Sequence, residues 1–466
     1  MENTFFYQLF QSLTAAEVRQ FRKFAASPYF NGRPQLCLLL DYFAKNGHQP
    51  AAPDPEKAFK AAFPAEQYDD QKWRLTLSQL FKLAEQFIAW QELATGENLG
   101  LSLSQAYRKR GLANHFQRTI QKLEKQQEST ETRSAGFHEN QYKIAWEKYR
   151  SHSAGKRTEA FNLQEVSDAM DAAFIARKLR HVCFSLSHQA VYQAEYRFGL
   201  LDEILREVRE SPWLLDSPAI NLYYHCFHAL KTGSGESDFE VFKNLLFDQG
   251  HLLPSEEQRN LFLLAINNGI RQINAGRPAY DRPVLDLYRT ALDNDLLLEN
   301  GHLSRFAFNN IVAIAVRIGE TDWVENFIHQ YKNSLEREHR NATFSLNLAR
   351  LQYTRKNYKE ALLQLQHSDY KDLINNLIAK TLQLKIYYET NEYEVLEAHL
   401  RNMKTYIRRQ RAIGYHKQNY LNIIRFTQAL VEMNPFAKKE HTALRDAILN
   451  ERSLTEKDWL LDMMDR

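Results

Sequence analysis

The chain has 466 residues, with 60 Lys and Arg against 57 Asp and Glu, 16 glycines, 12 prolines and three cysteines. Glycine and proline stand at about half their ordinary share, too few for the tight turns of a sandwich, a barrel or a doubly wound sheet. The 44% of hydrophobic and 12% of aromatic residues are enough to bury a core, which excludes general disorder. Cys37, Cys183 and Cys226 are widely spaced, so they form no disulfide framework and suit a reducing compartment. The opening MENTFFYQLF has no basic stretch ahead of its short apolar run, so no signal peptide is expected. No apolar run approaches the ~20 residues of a membrane span. These exclusions leave an all-α protein of the cytoplasm.

Charge is balanced overall but unevenly spread. Basic and acidic residues number 22 and 17 over 1–160, 18 and 25 over 161–340, and 20 and 15 over 341–466. An acidic middle between basic ends can steer partners or favour self-association.

Residues 1–95 read as a helical domain of their own. Thr14 and Glu17 have the capping-box spacing and open a helix whose Val18, Phe21, Phe24 and Ala25 share a face. Ser27-Pro28 closes it. A second helix is predicted from Pro34 to Lys45, and a short one to Phe63 with Asp54 as cap and Pro55 in its first turn. Asp69 then caps a long helix with Trp73, Leu77, Leu80, Phe81, Ala84, Phe87 and Ile88 on one wide apolar face. Two or three amphipathic helices connect residues 96–160, broken at Gly111, Ser134–Gly136 and Ser151–Gly155.

Residues 161–434 carry an internal repeat. Three short turns are each followed by an aromatic, Trp323, Tyr358 and Tyr393, spaced 35 residues apart. Each turn joins two apolar-periodic stretches, the first ones being 308–318, 346–353 and 377–388. One helical hairpin cannot bury both apolar stripes, so neighbouring hairpins must stack. Less regular turns follow upstream near 196–199, 232–237 and 275–282. Asn434-Pro435 stops the last long helix. Residues 435–466 then supply capping helices, an amphipathic one over 437–450 and a final one opened by Thr455 and Asp458 and carrying Trp459, Leu460 and Met463.

Residues 343–365 resemble the tetratricopeptide (TPR) repeat. Ala349 and Ala361 stand at its two small positions, Asn357-Tyr358 at its turn, and Leu348 and Leu365 at large apolar positions. The flanking units carry Ile314 with Asn326 and Leu384 with Leu396 at the small pair, and the resemblance is clearest over residues 305–411. It implies a right-handed α–α superhelix, a TPR-like solenoid of hairpins preceded by the N-terminal helical domain, with first helices lining a concave groove. The groove positions fall one and four residues after the first small residue: Arg350 and Tyr353, then Lys385 and Tyr388 one period on. The preceding unit presents Ile311, Ala315 and Ile318. A ladder of cations and phenols suits an acidic or carboxylate-bearing peptide. The expected function is therefore a non-enzymatic interaction scaffold or adaptor with an acidic protein or peptide partner, needing no cofactor.

A second surface follows from charge. No acid occurs between Glu397 and Glu432. On a helix, Arg401, Lys404, Arg408 and Arg411 form a basic stripe beside an apolar one of Leu396, Leu400, Met403 and Ile407. With Tyr406, Tyr415 and Tyr420 nearby, the stripe supports the alternative reading, a regulator binding nucleic acid or another polyanion over 401–425. No metalloprotease, phosphate-loop, serine-hydrolase or CxxC motif is present, so no catalytic residue is named. His181, Cys183, His188, His225, Cys226 and His228 have a spacing that a metal site could use, but their aromatic neighbours favour core packing, and no metal is expected.

Overall fold

A computed structural model of the chain describes residues 2–46, 53–94, 97–153, 161–192, 194–231, 233–366, 373–409, 416–434, 438–451 and 453–465. Over these residues the protein is all-α, with 23 α-helices and one two-stranded hairpin. It forms two compact units, one of residues 1–131 and 136–173, the other of 132–135 and 174–466. None of the described helices is long and apolar enough to cross a membrane.

The first unit opens with α1 (Phe5–Ser12), α2 (Ala15–Ala26), α3 (Pro34–Asn46), α4 (Pro55–Ala62) and α5 (Asp70–Ala94). Local chemistry sets their ends. Thr14 and Glu17 form a complete capping box on α2. Asp54 caps α4 ahead of its first-turn proline, and Asp69 Oδ1 accepts the Lys72 N–H at 2.9 Å to start α5. Phe6, Phe10, Phe21, Phe43, Phe59, Trp73 and Phe87 fill their common core, with Phe6 edge-on to Phe43 at 4.9 Å and Phe21 stacked on Phe87 at 5.1 Å. The sequence reading has no α1; Thr4 caps it, and its Phe6, Tyr7 and Phe10 are buried. A separate cluster of Leu101, Phe116, Ile120, Leu123 and Ile144 joins α6 (Glu97–Lys109), α7 (Ala113–Ser129) and α8 (Ala135–Ser153). The 30-residue α9 (Leu163–Tyr192) begins in the first unit and ends in the second.

The second unit continues with α10 (Leu201–Glu210), α11 (Pro218–Leu230), α12 (Glu236–Gln249), α13 (Ser255–Asn274), α14 (Asp281–Asp293), α15 (Arg305–Arg317), α16 (Thr321–Gln330), α17 (Arg340–Thr354), α18 (Tyr358–Gln366), α19 (Leu373–Glu389), α20 (Tyr393–Arg409), α21 (His416–Glu432), α22 (Lys438–Asn450) and α23 (Lys457–Met464). From α11 to α21 packing is serial. Partners within a pair touch, and the second helix of each pair meets the first of the next: α12 on α13, α14 on α15, α16 on α17, α18 on α19, α20 on α21. First helices also meet directly, α11 with α13, α15 with α17 and α17 with α19. That is the contact pattern of stacked hairpins.

The turns share one chemistry. Gly319, Lys356 and Asn391 are left-handed, with φ of 81°, 61° and 59°. The next N–H reaches back to a carbonyl five residues earlier: Glu320 to Ala315 at 2.8 Å, Asn357 to Gln352 at 2.9 Å and Glu392 to Tyr387 at 2.9 Å. These are Schellman closures, and they satisfy carbonyls that the helix end leaves open. The aromatics that follow are placed alike in two units: Tyr358 lies 5.9 Å from Tyr353, and Tyr393 lies 6.2 Å from Tyr388. Ala349 and Ala361 are fully buried where α17 meets α18.

Two details correct the sequence reading. Between α14 and α15 a short hairpin pairs β1 (Leu298–Glu299) with β2 (His302–Leu303). Its turn, Asn300 and Gly301, has φ of 51° and 79°, the type I′ geometry that Asn-Gly favours. The cap of α23 is Glu456, in the left-handed region at φ 55°, and not Thr455. The Glu456 side chain does not cap the helix end and meets Lys385 instead.

Candidate functional site

The first helices of three consecutive hairpins present residues one 35-residue period apart: Arg350 on α17, Lys385 on α19 and Tyr420 on α21. Tyr353 and Tyr388 follow the same period. The structure brings these side chains together, and α23 lies against them.

Glu389, on α19, is at the centre. Its side chain is only 1% exposed, and each oxygen accepts two donors. Oε1 takes the Tyr353 hydroxyl and the Trp459 indole N–H, the latter at 3.0 Å. Oε2 takes the Tyr358 hydroxyl at 2.6 Å and Lys356 Nζ at 3.0 Å. Burial alone would raise the carboxyl pKa, but the four hydrogen bonds to the ionised form prevail and hold it down at about 2. Burial first, and then the bond to this carboxylate, pushes the Tyr353 phenol well above its ordinary range. One buried anion thus ties together α17, the following turn, α18, α19 and α23.

Beside it, Lys385 Nζ meets Glu456 at 2.7 Å, with the lysine side chain 13% and the glutamate 37% exposed. Burial works to raise the Glu456 pKa, yet Lys385, Arg350 and Arg317 together hold it below its ordinary value. These cations come from α19, α17 and α15, so the field on Glu456 is built by three consecutive first helices. The Lys385 ammonium also sits 4.8 Å from the Tyr353 ring and 5.8 Å from that of Trp459. Tyr388 meets Trp459 edge-on at 5.5 Å. Burial lowers the pKa of Arg350 and raises that of Tyr420 to about 12. Trp459, Leu460, Met463 and Met464 are the buried residues of α23, in one cluster with Leu384, Tyr420 and Ile423.

Behind this face runs a ladder of amides. Asn347 on α17 donates to Asn309 Oδ1 on α15 at 2.6 Å and to the Thr343 carbonyl at 2.8 Å. Asn309 donates to Asn375 Oδ1 on α19 at 3.3 Å, and Arg350 donates to Asn347 Oδ1 at 3.3 Å. Asn347 is fully buried and Asn375 nearly so.

Of the sequence-named positions, Arg350, Tyr353, Lys385 and Tyr388 therefore share one site, each engaged by neighbours. Of the residues that the preceding unit presents, Ile311 and Ala315 are fully buried and Ile318 is half-buried. The site's acids and its indole, Glu389, Glu456 and Trp459, are absent from that ladder. Glu389 has a signal in its position directly after Tyr388, but nothing local announces a helix returning from 70 residues away. On α20 the apolar stripe of Leu396, Leu400, Met403 and Ile407 is buried. Arg401 and Arg408 are exposed and Lys404 half-buried beside it, with Arg401 3.5 Å from Glu397. Arg411 and Tyr415 lie outside the described residues.

The histidine and cysteine group is split: Cys183 and Cys226 are hydrogen-bonded to each other in the core, while His188 and His228 are engaged elsewhere. His188 bonds the Tyr196 hydroxyl at 2.8 Å, His228 meets Lys231 at 2.9 Å, and Cys183 donates to the Tyr223 carbonyl at 3.3 Å. Cys183 and Cys226 are fully buried, while His181 is exposed. Among the described residues, no three His, Cys, Asp or Glu side chains are grouped to hold a metal ion. Comparison with protein-family models, with curated proteins and with solved structures finds no match to the chain.

Proposed function

We propose that the chain is a non-enzymatic interaction scaffold of the cytoplasm, a TPR-like solenoid whose first helices form an inner face that receives an acidic segment of a protein partner. The observation that carries this reading is the convergence of Arg350, Lys385 and Tyr420, one period apart on consecutive first helices, on a single carboxylate. Charge-assisted hydrogen bonds to such cations, with tyrosine rings beside them, suit acidic helical or extended peptides. The small number and wide sequence spacing of the cysteines suit a reducing compartment.

The test is affinity purification from the native cell with the wild-type chain and with the Arg350→Glu/Lys385→Glu variant, after helicity and melting have shown the variant folded. Loss of a defined set of co-purifying proteins from the variant supports the reading. An identical set from both proteins would remove the inner face as the binding surface.

A further inference from the structure

The α23 segment meets the inner face as a ligand would. It is an eight-residue helix, Lys457–Met464, joined to α22 by a short connection. Its buried stripe is Trp459, Leu460, Met463 and Met464, while Asp458 and Asp462 face solvent. Glu456, just ahead of it, meets Lys385, and three residues on the indole N–H of Trp459 reaches the buried Glu389 carboxylate. The fit is complementary in charge and in hydrogen bonding: a carboxylate against cations from three first helices, and a donor against an anion. Glu456 holds a left-handed backbone, a conformation that non-glycine residues adopt at a cost and that the surroundings must impose. The polar anchor of the segment is also its exposed end.

We infer that this face is a docking seat for an acidic amphipathic helix carrying a glutamate and a tryptophan three residues apart, and that α23 is its resident occupant, which a partner helix of the same chemistry displaces. The inference rests on the scaffold reading and names the partner class. A tethered segment acts at an effective concentration in the millimolar range for a short connection. A free helix with equal contacts therefore cannot enter at micromolar concentration until the resident is weakened or its tether is cut. The seat is thereby closed to weak acidic helices and open to one that binds more tightly than α23.

The experiment keeps every residue of the chain. A specific protease site is inserted between Ser453 and Leu454, and a fluorescent peptide of residues 451–466 is titrated against the uncut and the cut protein, with anisotropy as the readout. The expected result is at least tenfold tighter binding to the cut protein, at one peptide per chain, with recovery of the released native segment by mass spectrometry. Lys385→Glu in the cut protein is expected to weaken the peptide at least tenfold. A second route uses the uncut Glu456→Lys/Trp459→Ala variant, whose folding is checked by circular dichroism and which should admit the same peptide.

Exclusion of the peptide by both the cut protein and this variant would show α23 to be a fixed cap and overturn the proposal. Equal binding to cut and uncut wild-type seats would do the same, because the resident would then not be in the way. Concentration-dependent dimerisation of the uncut protein with exchanged α23 helices would replace the partner helix by a second copy, and would also overturn it. None of these results depends on which cellular proteins co-purify, so a fixed α23 together with partners lost from the Arg350→Glu/Lys385→Glu variant would refute this inference and leave the scaffold reading standing.

Discussion

Replacing Glu389 by glutamine tests the carboxylate cage directly. The side chain keeps its shape but loses its charge, and an amide nitrogen cannot accept the bonds that one oxygen now takes from two donors. The folded carboxyl sits at about 2 against an ordinary 4.5. At about 1.4 kcal/mol per pKa unit this corresponds to roughly 3 kcal/mol of stabilisation. Because the side chain is 1% exposed, solvent does little to screen it, and the figure falls at the low end of the ~3–5 kcal/mol seen when one member of a buried pair is removed. The sign follows from the direction of the shift. A depressed folded pKa gives stability that is complete above about pH 4.5 and is lost as pH falls toward 2. Glu389→Gln should therefore be less stable than wild type by about 3 kcal/mol at pH 7, and the gap should narrow steadily below pH 4.5. Urea denaturation at pH 7, 5, 4 and 3, followed by circular dichroism and by amide exchange in α19 and α23, measures it. A gap under ~1 kcal/mol at pH 7, or one that stays constant from pH 5 to 3, would refute the reasoning.

Three further substitutions probe separate features. Lys385→Ala removes the partner of a carboxylate that is 37% exposed, so it should cost less than about 1 kcal/mol globally while speeding amide exchange in α23; a larger global loss would mean the pair is shielded from water. Asn347→Ala strands the Asn309 carbonyl oxygen and empties a fully buried position, with an expected cost of about 1–3 kcal/mol in the same denaturation assay. Gly269→Ala places a Cβ that overlaps Val284 Cγ2 and lies 3.2 Å from Phe239 Cζ, so the Val284 side chain must turn or α13 and α14 must separate; a loss of about 1–3 kcal/mol is expected, and an unchanged midpoint would show that the contact yields freely.

What the sequence discloses here is mostly local. The Thr14 capping box and the Asp54 and Asp69 caps depend on residues within a turn of one another, and the 35-residue period shows because the same local turn recurs at Gly319, Lys356 and Asn391; these stand in the structure as written. Asn300-Gly301 carries an equally local signal for its hairpin, obscured by the surrounding helical pattern. The first helix was hidden differently: its FFYQLF stretch reads simply as apolar until Thr4 is seen as a cap. The site is only half legible. Periodicity aligns Arg350 with Lys385 and Tyr353 with Tyr388, because equal spacing on stacked helices yields equal placement. It says nothing of Glu456 and Trp459, since an amphipathic stripe announces that a helix will be covered without saying by what.

The amide ladder has a consequence for how the hairpins keep their alignment. Apolar side chains tolerate small offsets between neighbouring helices, because one methyl contact replaces another at little cost. Asn309, Asn347 and Asn375 do not, since a shift of a single residue would leave the buried amides of Asn347 and Asn375 facing carbon. Their value lies in selecting one alignment out of several rather than in adding cohesion. Exchanging all three for leucine should yield a tougher but less uniquely ordered stack, in which adjoining hairpins can slide past one another.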